Sequence, residues 1–488
     1  MLTDIKNDSK LKSGVNLIVI QLGLYALPLV TIPYTVKTVG IENYGKYAFF
    51  QAVAGLLSVV AGYGFVQTGV RDISMSEDLK CLNSEYSAVM FSKLMALAFS
   101  VIIALPLLFL RRFSSEPELF MYSLLTLVAV FLDTSFVYQG IEKLKDFVHM
   151  SLVGNIVVIV LLFALVRDES GYRLLPLVFT LPRVTAYLAS IALLRVRFNI
   201  SLSLPGFRTV LKKMRVNFNF FVSNIFIILY TRATAVFLGV FAGDAAVGYY
   251  SLADQLTYAY SNIQGKVSTV YQPQTMQAFS DSLSKGREAA RESIFAVSIM
   301  ALSGFLFTQF FTEEILTVFF STEALPAVLP LRLLSLNFIT IHISSILGMQ
   351  VLLAMYRDKE ILRPSVYAAL LNATLGCAAI YLWGATGAAA SVAAIECLIL
   401  VYFIKKVRDC GVELLDKRLV ARVFEFVLPL LGALSVLRLS YSATGFSPYV
   451  KLPVTVAAYG VAVIGTLVIL GMIDVRGRRL LVERMTAK

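Results

Sequence analysis

Residues 247 to 269 read VGYYSLADQLTYAYSNIQGKVST. Asp254, Tyr258, Ser261, Asn262, Lys266 and Thr269 recur there every three or four positions, so a helix gathers them into one stripe and leaves its other faces apolar. Midway along a membrane-spanning helix the ammonium of Lys266 costs at least about 2.5 kcal/mol on insertion scales, so it is expected to face a partner or a wet cavity rather than lipid. The stripe therefore reads as cavity wall.

The remainder of the chain places that helix in a bilayer. Of 488 residues, 58% are hydrophobic and only 15% charged, too apolar for a soluble protein of this length. Apolar runs of about 20 residues recur from residue 14 to residue 473, which predicts helices; a β-barrel would show short alternating segments instead. Residues 1 to 13 are polar with three Lys, and the apolar stretch after them exceeds a signal-peptide core and lacks a cleavage site, so the first helix is expected to stay in the mature chain. Four scattered cysteines, Cys81, Cys377, Cys397 and Cys410, and two histidines form neither a disulfide framework nor a metal-ligand pattern. No cofactor and no metal are expected.

Segmentation predicts spans near 14 to 38, 44 to 70, 86 to 110, 118 to 138, 146 to 166 and 173 to 194, then 216 to 241, 246 to 275, 290 to 311, 325 to 354, 362 to 382, 385 to 405, 421 to 440 and 451 to 473. With the N-terminus inside, inner segments hold thirty Lys and Arg against eight in outer ones, which predicts cytoplasmic N- and C-termini. The net charge of +12 thus reports topology, not nucleic-acid binding. Five basic residues remain within helices: Lys93, Arg183, Arg232, Lys266 and Arg332.

The halves repeat. Tyr44-Gly45-Lys46-Tyr47-Ala48 follows Val39-Gly40, and Val247-Gly248-Tyr249-Tyr250-Ser251 follows Leu238-Gly239, an offset of 203 residues between Gly45 and Gly248. Six helices per half is an even number, so the copies share an orientation. The expected fold is an all-α polytopic membrane protein of two six-helix bundles related by a pseudo-twofold axis along the membrane normal, with two additional C-terminal transmembrane helices, about 14 in all. The expected division is an N-terminal bundle (1 to 194), a basic cytoplasmic linker (195 to 215), a C-terminal bundle (216 to 405) and the extra pair with a basic tail (406 to 488).

LPLVTIPYTVKTVGIENYGKYAFFQA (27 to 52), GYGFVQTGVRDIS (62 to 74), LYTRATAVFLG (229 to 239) and VGYYSLADQL (247 to 256) resemble the polysaccharide-exporter branch of the multidrug/oligosaccharidyl-lipid/polysaccharide (MOP) transporter superfamily, in particular O-antigen flippases of the Wzx type. The resemblance covers roughly residues 14 to 405. It implies a central cavity worked by alternating access in the bacterial inner membrane. The implied substrate is an undecaprenyl-diphosphate-linked oligosaccharide, moved from the inner to the outer leaflet. It also implies a polysaccharide polymerase and a chain-length regulator as partners beside the lipid bilayer. Many such proteins have twelve helices, so the last pair stands outside the family pattern.

Within the first twelve spans five basic residues face three acids, Asp133, Asp254 and Glu396. A cationic surplus lowers the cost of taking a diphosphate out of water. Arg232 follows Asn217, Asn224 and Thr231, which are spaced by seven and share a helix face. Arg232 and Lys266, with Lys93 and Arg332 from other helices, are expected to attract the diphosphate, and Tyr258, Asn262, Gln51 and Asn224 to meet the sugars. For each cation the competing reading is structural: snorkelling for Lys93, Arg183 and Arg332, and a buried ion pair for Arg232 and Lys266. Asp133, Asp254 and Glu396 are candidates for coupling to a proton or sodium, with structural pairing as the alternative.

Two other functions compete. An ion-coupled drug or cation exporter of the same superfamily would need a more acidic cavity. A membrane polysaccharide polymerase or transferase would need a large extramembrane loop or a clustered catalytic motif, and every outer loop here is short. The chain is therefore read as a transporter, not an enzyme.

Overall fold

The structure is a computed structural model and describes residue 28, residues 30–414 and residues 416–470. The basic segment before residue 14, the greater part of the first expected span and the tail from 475 to 488 lie outside the described residues. The described residues contain no strand. In lipid a backbone amide has no water to bond, so each apolar run closes its hydrogen bonds within itself as helix.

The helices are α1 (Ile41–Gly62), α2 (Phe65–Ser74), α3 (Leu79–Ala104), α4 (Pro117–Leu132), α5 (Ser135–Gly140), α6 (Leu144–Leu165), α7 (Leu175–Phe198), α8 (Phe207–Phe241), α9 (Asp244–Asp281), α10 (Leu283–Phe319), α11 (Val328–Leu334), α12 (Asn337–Ile346), α13 (Asp358–Leu371), α14 (Cys377–Asp409), α15 (Lys417–Ala443) and α16 (Pro448–Ile469). Among the described residues, 10 stretches are long and apolar enough to cross a membrane, against about fourteen predicted. The difference has three sources. The first expected span falls mostly outside the described residues. The eleventh and twelfth form one 47-residue stretch, Arg363–Asp409, whose backbone breaks at Gly384 with φ 52° and ψ −130°. Finally, α9 is too polar to qualify, and of α8, several of whose side chains lie outside the described residues, only Arg232–Phe241 counts, as a short apolar helix.

The chain forms two compact units, Met1–Ser251 with Ala369–Gly384, and Leu252–Ala368 with Ala385–Lys488. In the first unit α1 packs on α3, α4 and α8, and α6 on α7. Its core joins Phe65, Tyr86, Met90, Phe136, Tyr138 and Leu194. A second group, Phe49, Phe50, Phe113 and Phe120, interlocks with ring centroids 4.8 to 5.9 Å apart in edge-to-face and tilted pairs, the arrangement that aromatic quadrupoles favour. The connector from 195 to 215 is held to this unit. Asn83 Oδ1 accepts from Ser201 N at 3.0 Å, Ser87 Oγ accepts from Ser203 N at 2.9 Å, and Lys213 Nζ bonds Asp72 at 2.7 Å and also Glu85.

In the second unit the two appended helices have a place. α15 and α16 pack on each other and on α10, where Phe426, Leu430, Leu434 and Tyr459 close around Phe311. Phe311 itself leaves helical geometry (φ −122°, ψ 21°), so the pair covers a kink in α10. Ion pairs tie both ends of the contact, Arg291–Asp416 at 3.1 Å and Arg422–Glu292 at 3.6 Å at one, Arg438–Glu314 at the other.

Two helix interruptions lie at nearly the spacing of the sequence motif. The helix of α4 and α5 is interrupted at Asp133 and Thr134, and that of α11 and α12 at Ser335 and Leu336. From 133 to 335 is 202 residues, one short of the offset between Gly45 and Gly248.

Candidate functional site

In the first unit the repeat motif is a helix crossing. A Cβ on Gly45 would lie 1.9 Å from the Asp244 carbonyl oxygen and 2.8 Å from Gly248 N; one on Gly248 would lie 2.3 Å from the Ile41 carbonyl oxygen. The starts of α1 and α9 therefore meet backbone to backbone, which only residues without a side chain permit. Beside the crossing Arg112 pairs with Asp244 and lays its guanidinium over the Phe49 ring at 4.2 Å. Phe49 fills the space at Gly239, where a Cβ would lie 2.2 Å from its ring.

Of the expected site residues in this unit, the structure brings Lys93 and Asp133 together. Lys93 on α3 is fully buried, and its Nζ donates to the Asp133 carbonyl at 2.7 Å, 5.7 Å from the centroid of the Phe136 ring. That carbonyl is freed by the break between α4 and α5, and the Asp133 carboxylate accepts from Ser135 N at 2.8 Å, where the helix restarts. A lysine forty residues upstream thus fills a backbone vacancy. Gln51 on α1 is half-buried and its Oε1 accepts from Thr126 on α4 at 3.4 Å. On α8 Asn217 is buried and donates to the Lys213 carbonyl at 2.8 Å, Asn224 is half-buried beside Gly64, and Arg232 is exposed. The Thr231 side chain lies outside the described residues.

In the second unit α9 carries the stripe. Asp254, Asn262 and Lys266 are half-buried and Tyr258 is 54% exposed, so this face is less covered than the one carrying Thr257, Gln264 and Ser268. Arg332, on α11, pairs with Glu313 at 3.6 Å, while its carbonyl accepts from Gln309 at 2.9 Å. Glu396, on α14, is buried.

The sequence reading missed a second polar row on α9. Thr257, Gln264, Ser268 and Thr275 are buried, about 110° around the helix from the Lys266 stripe at 100° per residue. Gln264 Nε2 donates to the Phe338 carbonyl at 2.8 Å. Gln350, in the π-helical segment Leu347–Leu352, donates to the Ser268 carbonyl at 3.0 Å and hydroxyl at 3.1 Å and accepts from Ser293 at 3.0 Å. The available signal was angular, since a single row with a period near 3.6 does not contain both Gln264 and Lys266. Replacing Gln350 by Leu leaves Ser293 and Ser268 without this partner, so the Gln350→Leu protein is expected to lose about 1–3 kcal/mol of stability. Its unfolding midpoint in detergent should fall, and an unchanged midpoint would show that the network contributes nothing.

Within the second unit the Lys266 ammonium can donate to an anion, and Tyr258 and Asn262 on the same helix can hydrogen-bond a polar chain; within the first, the Arg232 guanidinium, Asn224 and Gln51 have the same capacities. No group of three or more His, Cys, Asp or Glu that could hold a metal occurs among the described residues.

Comparison with known proteins gives these features a context. Residues 11–279 match the family model described as "Polysaccharide biosynthesis protein". A protein of Escherichia coli (strain K12) is 25% identical over 408 residues, 83% of this chain and 98% of its own; one of Shigella dysenteriae is 23% identical over 387 residues, 79% and 96% of the respective chains. Each is named "Putative O-antigen transporter". Among solved structures, the lipid II flippase MurJ in an inward closed conformation superposes with a TM-score of 0.71 at 14% identity, covering 93% of this chain and 98% of that one. An inward-facing multidrug resistance transporter of the MATE family, in the MOP superfamily, gives 0.64 at 15% identity, covering 79% and 94%. The chain shares their fold.

Proposed function

This chain belongs to the polysaccharide biosynthesis protein family, and from that premise we propose that it is a flippase that moves undecaprenyl-diphosphate-linked sugar repeat units from the inner to the outer leaflet of a bacterial inner membrane. It is a multi-pass membrane protein whose named relatives are transporters, not enzymes. One observation carries the substrate class: α9 keeps a lysine and a row of hydrogen-bonding side chains on its less covered face, in a chain that is otherwise 58% hydrophobic. A lipid-linked sugar has three parts that such a surface and its surroundings suit. Its diphosphate is met by Lys266 and Arg232, its sugars by Tyr258, Asn262, Gln51 and Asn224, and its polyprenyl tail stays in the bilayer.

The two remaining cations have smaller roles in this reading. Lys93 already bonds the Asp133 carbonyl and would have to leave it to meet a phosphate; Arg332 is drawn toward Glu313. Both add positive potential without direct contact. The sequence halves act as two six-helix bundles by alternating access, with both termini in the cytoplasm, as the asymmetry of thirty to eight basic residues supports. Asp254 and Glu396, the acids on α9 and α14, are the places where a proton or sodium would couple. A polymerase and a chain-length regulator would take the product on the far side.

The test is purified protein in liposomes holding an undecaprenyl diphosphate oligosaccharide, with sugar accessibility on the opposite leaflet followed over time. Protein-dependent transfer is expected. No transfer of the lipid, with exchange of a cationic drug for protons or sodium instead, would replace this reading by the exporter one.

A further inference from the structure

The connector ahead of α8 presents an organised surface. The backbone of 201 to 203 is bonded to α3, and Val210, Lys213 and Asn217 turn one side of α8 inward, so the remaining sides have fixed directions. Two of them lie next to each other. Phe207 and Leu211, four residues apart, make an apolar row, with Leu204 in the connector just ahead of the helix; Arg208, Lys212 and Arg215, spaced by four and three, make a basic row about 100° around the helix. Leu204 is 87% exposed, Phe207 68% and Leu211 44%.

The charges sort in the same way. Lys213, on the inward side, is neutralised by Asp72 and Glu85. Arg208, Lys212 and Arg215 are exposed and have no acidic partner among the described residues. Length fixes the depth of this end. The 35 residues of α8 span about 52 Å, against a hydrocarbon core of about 30 Å, so part of it lies outside the acyl chains, and the four charges Arg208, Lys212, Lys213 and Arg215 assign that part to its first turns. An apolar row flanked by a basic one, at headgroup level, is the pattern of a helix seated at an anionic interface.

We propose that the segment from Leu204 to Arg215 is a binding surface for anionic phospholipid, with Phe207, Leu211 and Leu204 entering the interface and Arg208, Lys212 and Arg215 holding headgroup phosphates. The segment joins the two sequence halves, so the seat fixes the connector to the cytoplasmic leaflet by chemistry independent of what is transported.

The test uses the full chain with its four cysteines replaced by serine and Leu204→Cys carrying an environment-sensitive fluorophore. The labelled protein is reconstituted into vesicles of phosphatidylglycerol or of phosphatidylcholine. A blue-shifted emission quenched by lipid-borne quencher is expected in phosphatidylglycerol, with a weaker shift in phosphatidylcholine. Arg208→Gln, Lys212→Gln and Arg215→Gln should each lower the preference for phosphatidylglycerol by about fivefold, and salt should do the same. Water-like emission in both lipids would overturn the proposal. So would a shift equal in both lipids and untouched by the three substitutions, since the row would then be covered without any role for charge.

Discussion

Gly45→Ala is expected to abolish transport while leaving helix content unchanged. One methyl group at this position would lie 1.9 Å from the Asp244 carbonyl oxygen, well inside contact distance, and the obstacle is backbone, so no rotamer change relieves it. The starts of α1 and α9 must separate or tilt, which carries Asp244 away from Arg112 and disturbs the seat of Phe49. Overpacking of this kind costs about 1–3 kcal/mol before any loss of the ion pair. Gly248→Ala meets the Ile41 carbonyl oxygen from the other side and should behave alike, whereas Gly432→Ala, on α15 with no atom within 4 Å, should be silent or slightly stabilising. The comparison needs only the unfolding midpoint in detergent and the rate of sugar-lipid transfer for the three proteins. If Gly45→Ala transported at the wild-type rate, the crossing would have no part in function.

Lys266→Ala and Arg232→Ala are expected to remove surface polysaccharide from cells that depend on this chain, with protein abundance near normal. Charge-assisted bonds to a phosphate contribute about 1.5–3 kcal/mol each, so losing one should slow transfer by roughly ten- to a hundredfold. The two differ in their second substitution. Arg232→Lys keeps the charge and gives up the forked donor geometry, so it should restore activity only in part. Arg232 is exposed and Lys266 half-buried, which favours a loss of activity over a loss of folding. Full transport in both alanine proteins would remove the cationic site. A fall in abundance matching the fall in polysaccharide would instead assign these residues to stability.

Lys93 shows where residue-level inference from sequence stops. Its type and depth announced a cation inside the membrane, and two fates were open, a polar cavity or the interface. It has a third, bonding a carbonyl that the interruption of α4 at Asp133 sets free. No local pattern announces such a partner, because the two residues meet only when α3 and α4 pack. Gln350 is similar: its bonds to Ser268 and Ser293 join three helices across separations of 82 and 57 residues.

What the sequence determined by itself follows from the solvent. A bilayer demands apolar runs and closed backbone bonding, so the all-helical membrane fold and the stripe on α9 are written in composition and period. The short motif around Gly45 and Gly248 was legible as well, because it is a property of the sequence itself. Tertiary structure decided the rest. That those glycines touch, that the last two helices cover the kink at Phe311, and that one polar row of α9 is buried while its neighbour is less covered are consequences of packing. Packing sets polar side chains against partners distant in the chain, and a helical period records which residues share a face without recording what that face meets.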